Sequence, residues 1–334
     1  MMDLNILWFI LITVLFTGFF FLEGFDYGVG GILPFLSSDE KERGEVLRTI
    51  TPVWDGNEVW MITAGGALFA AFPHVYATMF STFYLALFLM LVALILRGVA
   101  FDLRSRQQSA CWQRFWDGAI CFGSIVPAFL WGVAVTNLIA GIPINEKMIY
   151  TGGFFDLLTP YTIVGGLAFL FHGTAFLTLR LAKSSLIMRC QQLALKTGVT
   201  AAIFFVLCMA MTLTYTDLFT KPLAAVALVG AALFFVMAIL SMKLAKGKAS
   251  FLLSTAAIVA TTIAFFAGLF PRLMVSSLNP DWSLTITNAA SSPYTLSVMT
   301  IAAAVFVPIV LIYQSWSYYI FRKRVTPKDA EEHY

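Results

Sequence analysis

Long apolar runs dominate the chain, and short polar stretches punctuate them. About 20 apolar residues cross a bilayer. By that measure, runs at 4–35, 46–72, 75–103, 112–140, 159–181, 193–215, 222–244, 251–270 and 294–321 predict nine transmembrane helices. Several runs exceed the minimum, which predicts tilt or extension past the hydrocarbon. No polar segment between them is large enough for a soluble domain. Short connections join the first four helices and the fifth to the eighth, while longer segments at 141–158 and 271–293 follow the fourth and the eighth. This spacing predicts an all-α polytopic membrane protein of two four-helix bundles plus one additional helix. By residue, 1–140 is the first bundle, 141–270 the second, and 271–334 an outer loop, the ninth helix and a charged tail. No sequence repeat relates the two bundles.

Composition narrows the class. The 334 residues are 60% hydrophobic and only 12% charged, with a mean hydropathy of +0.85, whereas a soluble domain carries about 25% charged residues. Soluble enzymes, nucleic-acid binders and disordered scaffolds are excluded. The formal net charge of +3 reflects topology. Of 21 basic residues, 17 fall in one set of alternate loops and the tail, 3 (Lys147, Lys221, Arg272) fall in the other set, and Arg97 lies inside the third span. Cytoplasmic loops retain positive charge, so the N-terminus is expected outside and the C-terminus in the cytoplasm. The first run has no basic flank or small-residue cleavage site and reads as a retained span. Cys111, Cys121, Cys190 and Cys208 form no C-x-x-C and read as small apolar packers, which supports neither zinc nor an iron–sulfur cluster.

Ionisable residues inside spans cost at least ~2.5–3.5 kcal/mol each, so each is a functional candidate. They crowd into the first three spans: Glu23 and Asp26, then Asp55 and Glu58, then Arg97 with Asp102 near its end. Both acidic pairs are spaced i, i+3 and share a helical face. Counted from Arg48 and Arg104, Asp55 and Arg97 lie about 10 Å inside the boundary, and the long first helix permits Glu23 to reach the same level. Four carboxylates around one cation are not all cheaply ionised. Desolvation and like-charge repulsion favour the neutral acid for at least one of them, which suits a group that accepts and releases protons near neutral pH. Asn57 and the indole N–H groups of Trp54 and Trp60 are the neutral donors at hand. A structural ion-pair knot that moves no protons uses the same residues. Gly24, Gly28, Gly30 and Gly31 lack the flanking strand and Lys of a phosphate loop and read as close helix packing. His172 reads as a satisfied interior histidine, with axial haem ligation as its alternative.

These residues carry a resemblance. The runs Glu23-Gly-Phe-Asp-Tyr-Gly-Val-Gly, Pro52-Val-Trp-Asp-Gly-Asn-Glu-Val-Trp and Arg97-Gly-Val-Ala-Phe-Asp resemble subunit II of the cytochrome bd quinol oxidases, and Tyr150-Thr-Gly-Gly-Phe-Phe-Asp and Val298-Met-Thr extend it. The resemblance implies a multi-pass subunit of a bacterial or archaeal plasma membrane, with no haem or metal of its own. It pairs with a subunit I bearing two b-type haems, one d-type haem and the quinol site, and leaves room for a small single-helix third subunit. The complex oxidises quinol, reduces dioxygen to water and draws the protons from the cytoplasm. By position, the resemblance makes Asp55, beside Trp54, the leading proton carrier. Glu23 and Asp26 become uptake groups and Arg97 their electrostatic partner. Some members carry Asp at the position of Glu23 and Gln at that of Glu58, so Glu58 is an added carboxylate. Two rival expectations stand beside this one: a proton-coupled secondary transporter, and a purely structural partner subunit.

Overall fold

The computed structural model describes residues 3–37, 39–163 and 168–326. Within them the chain forms α1 (Leu4–Leu36), α2 (Glu40–Arg48), α3 (Trp54–Ala71), α4 (Pro73–Thr82), α5 (Tyr84–Leu103), α6 (Ala110–Ala140), α7 (Pro160–Ile163), α8 (Ala168–Arg180), α9 (Ser184–Tyr215), α10 (Pro222–Lys243), α11 (Gly247–Leu269) and α12 (Pro293–Ile320). Among the described residues, seven helices are long and apolar enough to cross a membrane: α1, α5, α6, α9, α10, α11 and α12.

Three of the expected spans are built differently. Residues 46–48 belong to the polar helix α2, and α3 begins only at Trp54. Pro52 supplies no amide hydrogen and pushes Thr51 away from helical geometry, so a turn separates the two helices. The polar residues Asp55, Asn57 and Glu58 then lower the hydropathy of the 18-residue α3. The fifth expected span is divided between α7 and α8, and its residues 164–167 lie outside the described set. The third is interrupted at Phe83, between α4 and α5. Pro73 opens α4 at its first position, where a missing N–H costs nothing, so Phe72 alone turns the chain from α3 into α4.

Helix α1 is the axis of the molecule. Its 33 residues reach about 50 Å, past a hydrocarbon core about 30 Å thick. It packs against α3, α6, α8 and α11, and every residue from 22 to 33 is buried. A helix that is apolar around its whole circumference belongs in such a position. Its small residues permit the close approach: a Cβ placed on Gly173 of α8 would overlap the α1 backbone at Gly28 and Val29.

Polar ties close both ends. At one end the loop after α11 folds into an antiparallel ribbon of β1 (Arg272–Met274) and β2 (Leu284–Thr285), a bridge from Ile142 to Ser276 ties it to the loop after α6, and the Thr78 hydroxyl donates to the Met148 carbonyl at 2.6 Å. At the other end α2 acts as a crossbar. Arg104 Nη1 meets Glu40 at 2.6 Å and Arg104 Nε meets Asp117 at 2.6 Å, binding α2 to the turn between α5 and α6. Glu42 accepts from Lys183 at 2.9 Å and from Arg189, binding α2 to the α8–α9 connection.

Two outcomes are expected. Gly173→Leu forces α8 away from α1, so the variant fails to accumulate in the membrane as a folded chain, measured by monodispersity in mild detergent. Glu45 of α2 is buried with its Oε2 unpartnered among the described residues. Burial pushes its carboxyl above the ordinary value of 4.5, with Lys183 opposing. The folded chain therefore holds that proton more tightly than the unfolded chain, and stability is lost as pH rises through the folded value. Glu45→Gln raises Tm at about pH 8, and the gain closes as pH falls toward the ordinary carboxylate range.

Candidate functional site

The intramembrane acids converge on one guanidinium. Arg97 of α5 is fully buried, and its Nη2 pairs with both Glu23 of α1 and Glu58 of α3. Its charge also lies 4.9 Å from the Tyr27 ring centroid, a cation–π contact. Gly123 of α6 makes the placement possible, since a Cβ there would strike the Ala93 carbonyl and the Arg97 Cβ. Asp26 lies one turn beyond Glu23. Its Oδ2 accepts from Asn57 Nδ2 at 2.6 Å, and Asn57 Oδ1 accepts from the Tyr318 hydroxyl at 2.7 Å.

Five of the residues singled out in the sequence, Glu23, Asp26, Asn57, Glu58 and Arg97, therefore meet. Asp55 does not join them. It is exposed in the first turn of α3, three residues before Glu58 and on the same helical side. The acids thus recede inward: Asp55 at the surface, Glu58 with 18% of its side chain accessible, Glu23 with none. The indoles behave differently from expectation. Trp54 packs its ring on Phe101, with centroids 5.0 Å apart, and Trp60 donates to Gln314 of α12 at 2.7 Å rather than to a carboxylate.

Gln314 and Tyr318 do not stand out in the sequence, because they are uncharged and lie 254 and 261 positions from the α3 residues they meet. Their signal is two polar side chains one turn apart in an apolar span. Tyr27, beneath Arg97, was missed because a tyrosine in a membrane helix carries no charge to flag.

Charge and hydrogen-bond accounting define what the cluster can do. Three buried or half-buried carboxyls share one guanidinium, so full ionisation leaves two negative charges uncompensated away from water. Binding of two protons would restore charge balance. Among the described residues, Glu23 Oε2, Asp26 Oδ1, Arg97 Nε and Arg97 Nη1 are buried without a hydrogen-bond partner. Polar atoms in that position ordinarily hold internal water.

Other candidates are occupied or lie apart. His172 Nδ1 meets Ser254 Oγ at 2.8 Å and Nε2 meets the Phe21 carbonyl at 3.1 Å, so both ring nitrogens serve helix packing, and axial ligation would break one of these bonds. The four cysteines are free, Cys111 exposed and Cys190 buried. A cavity of about 190 Å³ opens elsewhere, lined by Trp131, Tyr161, His172, Phe205 and Thr212 among others. None of the five clustered residues, Glu23, Asp26, Asn57, Glu58 and Arg97, lines that cavity.

The family model for cytochrome bd terminal oxidase subunit II matches residues 4–321. "Cytochrome bd ubiquinol oxidase subunit 2" of Bacillus subtilis (strain 168) is 41% identical over 98% of this chain and 99% of the relative. "Cytochrome bd-I ubiquinol oxidase subunit 2" of Escherichia coli (strain K12) is 34% identical over 98% of this chain and 97% of its own. A chain in the structure of the bd oxidase from Geobacillus thermodenitrificans superposes with a TM-score of 0.70, at 16% identity, covering 96% of this chain and 97% of that one, a likeness of fold. On the matched residues and these identities, the chain belongs to the cytochrome bd terminal oxidase subunit II family.

Proposed function

We propose that this chain is the haem-free subunit II of a quinol-oxidising, dioxygen-reducing terminal oxidase, and that its acid cluster takes up protons from the cytoplasm. In this reading it spans the membrane nine times, α3 and the α7–α8 pair supplying the second and fifth crossings, with the N-terminus outside and the C-terminus in the cytoplasm of a bacterial or archaeal cell. The first bundle, 1–140, carries the route, while 141–270 and 271–334 complete the scaffold. The partner is a subunit I bearing two b-type haems and one d-type haem, where electron transfer occurs, and a small single-helix subunit is compatible with the arrangement.

The observation that carries the reading is the inward gradient of acids, from exposed Asp55 through half-buried Glu58 to sealed Glu23 and Asp26, lined with unpartnered polar atoms. Asp55 collects a proton at the open face of α3. Glu58 and Glu23, held by Arg97, receive it, and water bonded to Glu23 Oε2 and Asp26 Oδ1 bridges gaps too wide for direct transfer. The open face of α3 suits a neighbour: Gly56, Gly65 and Gly66 have nothing within 4 Å of where a Cβ would sit, and small residues let a partner helix approach closely.

A structural reading has its own observation, the double pairing of Arg97 with its ring contact to Tyr27. The two readings separate by mutation. Asp55→Asn and Glu23→Gln are expected to assemble with unchanged haem absorption and to slow quinol-driven oxygen consumption about tenfold or more. Normal turnover in a well-assembled Asp55→Asn complex removes Asp55 from the route. Loss of assembly, with unchanged specific activity in what remains, favours the structural role. In a density map of the assembled oxidase, ordered water is expected within hydrogen-bonding distance of Glu23 Oε2 and Asp26 Oδ1, and dry packing there contradicts the route.

A further inference from the structure

Helix α12 presents little but apolar side chains outward, and among the described residues it buries only Leu296. Two polar side chains one turn apart, Gln314 and Tyr318, face α3 instead. Gln314 Oε1 accepts from Trp60 at 2.7 Å, and the Tyr318 hydroxyl donates to Asn57 Oδ1 at 2.7 Å. The second bond continues inward, because Asn57 Nδ2 donates to Asp26 Oδ2 at 2.6 Å.

We propose that Tyr318 is a positioning residue for Asp26: its hydroxyl holds the Asn57 carbonyl, which turns the amide N–H onto Asp26 Oδ2 and leaves Oδ1 as the oxygen that gains and loses the proton. The proposal rests on the proton-uptake reading above. An amide side chain has a donor end and an acceptor end, and an ionised carboxylate only accepts. With the hydroxyl donating to Asn57 Oδ1 and an ionised Asp26 able only to accept, a single amide orientation satisfies all three groups. Without it, the amide is free to turn its carbonyl toward Asp26, an arrangement that suits only the neutral acid. The amide N–H does not titrate in the accessible range, so the chain from Tyr318 orients Asp26 and conducts nothing itself. Proton exchange falls to Oδ1, buried and without a hydrogen-bond partner among the described residues. The titratable and charged groups around Asp26 are Glu23 and Tyr27 of α1, Glu58 of α3, Arg97 of α5 and Tyr318 itself.

The test uses the purified, assembled oxidase carrying Tyr318→Phe, Gln314→Met or Asp26→Asn. Turnover is read as quinol-driven oxygen consumption, and the carboxyl C=O region is read in redox-difference infrared spectra. Tyr318→Phe is expected to retain assembly and haem absorption, slow turnover about threefold to tenfold, and shift the carboxyl band that Asp26→Asn abolishes. Gln314→Met cuts the adjacent tie without touching Asn57, so it changes turnover by less than about twofold and leaves that band in place. Unchanged turnover and band in Tyr318→Phe, with Asp26→Asn slow, overturns the positioning role and leaves the uptake reading intact. Equal slowing in Gln314→Met, or failure of Tyr318→Phe to assemble, reduces the hydroxyl to a helix tie and also overturns it. Normal turnover in Asp26→Asn removes the uptake reading and this proposal with it.

Discussion

Arg97 is the charge on which the first half of the molecule is organised. One guanidinium nitrogen receives carboxylates from two other helices, so α1, α3 and α5 are fixed at one level by a contact whose loss strands acids in a medium that cannot solvate them. Removing one partner of a buried pair costs about 3–5 kcal/mol, mostly through the charge left behind. The backbone around it is shaped to match. Gly123 lets α6 lie against the base of the arginine side chain, and Tyr27 offers a ring face to the cation. Specificity of helix register follows, because apolar packing alone tolerates sliding and a three-way ion contact does not.

That contact also accounts for the burial of α1. A helix carrying Glu23 and Asp26 cannot face lipid along that stretch, so neighbours surround it completely from residue 22 to 33. Close approach of α8 at Gly173 and of α6 near Gly30 excludes lipid from the acids, and the same closeness draws the two halves of the chain onto a shared axis. His172 contributes on the far side, anchoring α8 to the Phe21 carbonyl and leaving no acid exposed there.

Much of this was legible in the residues. Apolar run lengths located the long helices, because burial in lipid demands continuous hydrophobicity. The acid clustering and its i, i+3 spacing located the knot, because desolvation makes each charge costly enough to need a partner. What was not legible has physical causes. The break before α3 hinged on Pro52 within a run whose average composition hid it. Asp55 and Glu58 lie on one helix side, yet one is exposed and the other faces Arg97, a difference set by tertiary packing and not by period. Tyr318 joins Asn57 across 261 positions of chain, beyond the reach of any local pattern. The basic residues of the connections raise an expectation of orientation by their number, while their individual partners, such as Asp117 for Arg104, depend on how loops meet.

The crossbar formed by α2 has a mechanical meaning. Its nine residues grip the α5–α6 turn through Arg104 and the α8–α9 connection through Glu42, so any shear between the two sets of helices must first rupture ionic contacts. Lys183 keeps 40% of its side chain accessible, and salt weakens ion pairs whose charges reach solvent. Stiffness at this end is therefore set partly by the surrounding electrolyte, whereas the apolar middle of the bundle is indifferent to it.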